Sequence, residues 1–279
     1  MWKAQWRVVY KIGAVFDVGV SFNPMSKTQQ PGLCLFVAGL IGLGVIGVIV
    51  KDFAMVWQPV PEWLPARHAA AVGTGVLMIL LGLGLCVRAT RAWAVRILLV
   101  YLVAWALLKI PAVVVAPKME AVYLGLGELT LLLSGGWTLF ANFAELAPDS
   151  PLGFLAGERG IRMARYLFAV SIIPIGLSHL VYADITAGFV PHWLPYRVGW
   201  AYLTGAGQIA SGLGVLFSVL PRVAAWAEAG QITVYTLLVW GGAIAAAPKT
   251  RLAWTGFFIS WIFGAAAWVV AQNVPEKKH

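Results

Sequence analysis

Eight stretches of this chain are apolar for longer than the roughly 18 residues at which a helix can cross a bilayer. They run over about 32–50, 69–87, 92–115, 121–141, 164–182, 200–220, 223–247 and 252–271. Hydrocarbon offers a backbone no water to bond, so each stretch must close its own hydrogen bonds as a helix. Only 11% of the 279 residues are charged, against about 25% in a soluble domain. The expectation is an all-α fold, a polytopic transmembrane helical bundle of eight spans.

Lysine and arginine accumulate on the cytoplasmic side of membrane proteins. With a cytoplasmic N-terminus, thirteen of the 20 basic residues fall on that side, Lys3, Arg88, Arg159 and Lys278 among them. Six fall opposite (Lys51, Arg67, Lys118, Arg197, Lys249 and Arg251), and Lys109 stays inside the membrane. Both termini are therefore expected in the cytoplasm. The formal charge of +9 is scattered over span ends, which argues for anionic membrane lipids as partners and against nucleic acid.

Residues 1–30 are not a signal peptide, because Lys11 and Asp17 interrupt the apolar stretch. Lys3, Arg7 and Lys11 recur every four residues, as one stripe of an amphipathic helix lying on the membrane surface. A basic tail, 273–279, closes the chain. Cys34 and Cys86 belong to no CxxC pair and suggest neither a disulfide nor a metal site.

The chain also repeats itself. VPEWLP at 60–65 returns as VPHWLP at 190–195, a shift of 130 that continues through Arg67/Arg197, Gly75/Gly205 and Gly82/Gly212. At a shift of 131, Ala116-Pro117-Lys118 matches Ala247-Pro248-Lys249, and Trp137 matches Trp268. This predicts two four-helix units, 31–141 and 161–272, joined by a Pro/Gly-rich cytoplasmic linker at 142–160. An even number of spans per unit makes the repeat parallel. The VPxWLP segment is too rich in proline for a helix and too apolar for a free loop. It predicts a re-entrant or interfacial lid with its tryptophan at headgroup level. Sealing the bundle and covering a pocket are both open to it.

GLSHLVY (176–182), FVPHWLP (189–195) and WAYLTGAGQIASGLG (200–214) together resemble the DoxX-like family of bacterial integral membrane proteins. The resemblance spans about 164–271 and is thinner in the first half. It implies four-helix bundles, here a fused pair, in the bacterial inner membrane. Some members are associated with quinone reduction or terminal oxidation, which implies quinone as the candidate cofactor. The acid that related chains carry near the start of the last span is Gly256 here.

Ionisable residues inside spans are functional candidates by default. Lys109 and Glu128 fall at roughly 9 and 12 Å depth on consecutive helices and form a candidate ion pair. The second copy instead offers His179, Tyr182, Asp184, His192, Trp193, Arg197 and Gln208 as pocket or lid candidates, with Glu62, Trp63 and Arg67 as those of the first. Paired histidine ligands for haem are poorly provided, and neither metal spacing nor a catalytic set is present. Three readings remain: a non-catalytic accessory subunit of a redox or envelope complex, a quinone- or lipid-binding oxidoreductase component, and a small-solute or lipid carrier.

Overall fold

The computed structural model describes residues 30–55, 57–147 and 149–275. The N-terminal amphipathic segment and the end of the basic tail lie outside this range, apart from Gln30 and residues 273–275. Among the described residues the fold is all-helical: α1 (Gln30–Val50), α2 (Arg67–Cys86), α3 (Arg88–Leu107), α4 (Ile110–Val115), α5 (Glu120–Phe143), α6 (Gly157–Val181), α7 (Ala183–Phe189), α8 (Arg197–Leu216), α9 (Pro221–Tyr235), α10 (Gly242–Ala246) and α11 (Arg251–Gln272). Seven helices are long and apolar enough to cross a membrane, with α3–α4 and α9–α10 each counted as one. α8 has 20 residues but is more polar, carrying Thr204, Gln208 and Ser211.

Proline places the helix boundaries and breaks. Pro221 opens α9 in its first turn, where its missing N–H costs nothing. Pro111 follows the interruption at Leu108–Lys109 that separates α3 from α4. After α9 the chain widens into a π-helix, Thr236–Gly241, before α10. Arg67 and Arg197 each follow a residue held in the left-handed region, Ala66 (φ 53°) and Tyr196 (φ 54°).

The helices pack in chain order around a ring, α1 to α2, α3, α5, α6, α8, α9 and α11, with α11 closing back on α1. α5 and α11 also pack together, and they are the two most buried spans. One end of the bundle carries residues 51–66 and 182–196, here the long-loop end. At the opposite end, residues 144–156 join α5 to α6. Arg96 ties this link down by donating to the Ala144 and Glu145 carbonyls, and Trp137 Nε1 donates to Leu155 O (2.9 Å).

Small residues set the closest approaches. A Cβ on Gly75 would lie 2.8 Å from Gly44 O, and one on Gly205 would lie 2.7 Å from Gly176 O. Gly82 lies against Ile41 as Gly212 lies against Ile173. On the α5–α11 seam Gly135 rests on Ala266, and Asn142 Nδ2 donates to Asn273 Oδ1 (3.2 Å). Such backbone-to-backbone approach gives dispersion contact, which supplies helix association in lipid. Gly73, two residues from Gly75, meets nothing within 4 Å. Gly75→Ala should therefore destabilise the folded protein in detergent by about 1–3 kcal/mol. Gly73→Ala should be neutral or stabilising by up to about 1 kcal/mol. Equal melting shifts for the two variants would refute this packing.

Candidate functional site

The chain leaves α1 through Lys51, whose φ of 55° turns it so that Asp52 points back over the helix ends. Asp52 accepts from its neighbour's N–H, Phe53 N (2.8 Å), from Arg67 Nη1, and from Arg251 Nη1 (2.8 Å). Arg251 Nη2 also donates to Phe53 O (2.8 Å), and the Arg67 guanidinium lies 5.4 Å over the Phe53 ring. One carboxylate thus holds two guanidiniums, from the first turns of α2 and α11.

Beneath this corner the loop is anchored by its own side chains. Phe53, Trp57 and Gln58 are buried. Gln58 accepts from Ala54 N (2.8 Å) and donates to Tyr101 Oη (3.0 Å), while Phe53 and Trp57 make edge contacts with Trp105 and Tyr101 of α3. An open cavity of about 490 Å³ lies alongside, lined by Asp52, Gln58, Val60, Pro61, Arg67 and Arg251 among others. The Nε atoms of both arginines are buried and without a hydrogen-bond partner.

Burial raises the Asp52 pKa, but the bonds from Arg251, Arg67 and the Phe53 N–H outweigh it and hold the carboxyl below its ordinary range. The folded state thus keeps Asp52 below its unfolded value of about 3.9. Its contribution to stability is complete above that value and is lost as pH falls through the lowered folded one.

The residues expected to form the second pocket fall into separate groups. His179 Nδ1 lies 3.1 Å from Thr204 Oγ1, and Gln208 Nε2 donates to Glu228 Oε1 (3.3 Å). Tyr182 Oη instead accepts from Ala121 N (3.3 Å), and the exposed His192 lies 3.5 Å from Arg197 Nη1. Asp184 and Glu62 are exposed. Trp63 and Trp193 are 79% and 71% exposed. The loop is anchored by Phe53 and Trp57, earlier in the same segment.

Lys109 sits at the α3–α4 break over Gly125, where a Cβ would lie 3.2 Å from Nζ. Glu128 follows Gly125 by three residues, about one turn further along α5. Glu228 is fully buried, and sequence reasoning missed it because an apolar run conceals it. With Gln231 and Tyr235 it makes one face of α9, three and four residues apart. Gln231 Nε2 donates to Thr204 O (2.9 Å), and the Tyr235 ring lies 5.9 Å from that of His179. Among the described residues no three His, Cys, Asp or Glu side chains come together as a metal site.

No protein-family model, curated protein or solved structure matches this chain.

The Asp52 corner makes a pH-dependent prediction. Between pH 6 and pH 3 the wild-type midpoint in detergent should fall further than that of Asp52→Asn, which has no carboxylate to lose. Parallel declines would show that the two arginines do not depend on the carboxylate. In the second cluster, Gln208→Leu removes the amide that bonds Glu228 and should cost about 1–3 kcal/mol. The double variant Gln208→Leu/Glu228→Leu should recover part of that loss, and a double variant no more stable than Gln208→Leu would contradict the pairing.

Proposed function

We propose that this chain is a non-catalytic accessory protein of the bacterial inner membrane that holds an anionic lipid by its headgroup at the long-loop end. The observation that carries the reading is the charge at the cavity wall. Asp52 neutralises one of the two guanidiniums, Arg67 and Arg251, and both side chains line the cavity. An arginine fork matches a phosphate or carboxylate. The Lys/Arg bias directs this end away from the cytoplasm, so the bound lipid belongs to the outer leaflet.

The proposed architecture is eight spans in two parallel four-helix units, with α8 as the eighth span. Its support is recurrence: paired glycines between α1 and α2 and between α6 and α8, left-handed residues at 66 and 196, and helix irregularities at 108–109 and 236–241. Equivalent residues face each other across the α5–α11 seam, Gly135 with Ala266 and Asn142 with Asn273, at a shift of 131. The α1 and α6 contacts recur at a shift of 132, which pairs His179 with Gly47.

On these shifts Asp184 and Arg197 correspond to Asp52 and Arg67, while Glu120 takes the place of Arg251. Summed over these three positions, the first half carries one positive charge in excess and the second one negative. Only the first suits an anion.

Quinone finds less support, because the donors Gln208 Nε2 and His179 Nδ1 are engaged by Glu228 and Thr204. Membership of the DoxX-like family rests on the sequence resemblance alone.

Native mass spectrometry after gentle extraction tests the reading. The wild type should retain anionic phospholipid. Loss of one charge-assisted contact in Arg251→Gln should lower occupancy by about tenfold, and Arg251→Lys should retain part of it. No retained lipid, or equal retention in wild type and Arg251→Gln, would defeat the proposal.

A further inference from the structure

Arg251 begins a stripe that continues down α11 through Trp254, Phe258, Trp261, Ala265 and Trp268. Spacings alternating between three and four keep these side chains on one helical face. The stripe runs beside α1: Phe258 overlies Gly42, and Trp261 Nε1 donates to Leu35 O (2.9 Å).

Further down, the stripe enters a second cavity, of about 200 Å³, bounded by Leu35 of α1, Thr236 and Leu237 of the π-helix, and Trp261, Ala265 and Trp268 of α11. Its polar edges are already engaged. Trp268 Nε1 donates to Thr233 Oγ1 (3.1 Å), and Thr236 Oγ1 lies 2.8 Å from Ser260 Oγ. What remains open to an occupant is apolar.

We infer that this slot takes the acyl chain of the lipid whose headgroup sits at Arg67 and Arg251, so that α11 carries one continuous site from headgroup to chain end. The inference rests on the headgroup reading proposed above. Depth argues for a lipid tail over another apolar occupant. At 1.5 Å per residue, Trp261 lies about 15 Å along the helix from Arg251, half the roughly 30 Å of a hydrocarbon core. A lipid held by its head at Arg251 therefore brings its chain end to the height of the slot. Thr236 and Leu237 of the π-helix and Gly264 of α11 line the groove at that height.

Brominated lipids test this in the full-length protein reconstituted in phosphatidylcholine vesicles. A minor fraction of phosphatidylglycerol carries bromine either at the chain ends or near the glycerol. Chain-end bromine should quench tryptophan fluorescence more strongly, and Trp261→Phe with Trp268→Phe should abolish the difference. Brominated phosphatidylcholine at the same fraction should quench less, and Arg251→Gln should remove the advantage of the anionic lipid.

If anionic and zwitterionic lipids quench equally, the headgroup reading fails and the inference with it. If the anionic lipid is preferred but the double Phe variant quenches like the wild type, the headgroup reading stands and the chain does not occupy the slot. The lipid comparison and the double Phe variant decide the matter even should Arg251→Gln fail to fold.

Discussion

In a bilayer an apolar helix surface gains nothing by leaving lipid for another helix, so association rests on how closely backbones can meet. In this chain they meet at glycine. Gly44 against Gly75 and Gly176 against Gly205 bring carbonyl oxygens to distances that any side chain would block. The tight α1–α2 pair has a consequence at its far end. The connecting residues must fold back over the helix ends instead of spreading into solvent, and their irregular backbone needs internal partners. Gln58, Asp52 and Arg251 supply them.

The corner so formed joins parts of the chain far apart in sequence. Asp52 and Arg251 are separated by 199 residues, so the first loop is fastened to the last span and the two halves close on each other. The fastening leaves one guanidinium charge uncompensated beside an open cavity, which a purely structural latch would not require.

Much of the architecture is legible in the sequence because membrane helices must be apolar and continuous. The eight stretches read from hydropathy fall on α1, α2, α3–α4, α5, α6, α8, α9–α10 and α11, within a few residues at most ends. What the sequence left obscure has physical causes. Glu228 passes unnoticed because a single acid barely lowers the hydropathy of the apolar run that contains it. Its partner Gln208 is on another helix. Arg251 reads as one more basic residue at a span end until folding brings Asp52 to it. Trp63 and Trp193 attract attention through the repeated VPxWLP, yet the prolines around them set the chain direction and leave both rings exposed. The anchoring is done by Phe53 and Trp57, which belong to no repeated motif.

The central claim is that a lipid anion sits against the Arg67 and Arg251 guanidiniums. Solid-state NMR of arginine-labelled protein in phospholipid bilayers measures this contact directly, through phosphorus–nitrogen dipolar dephasing. The account predicts dephasing of guanidinium nitrogen signals that disappear in the Arg67→Gln and Arg251→Gln proteins. Dephasing that is absent in the wild type, or that survives unchanged in both variants, would contradict it.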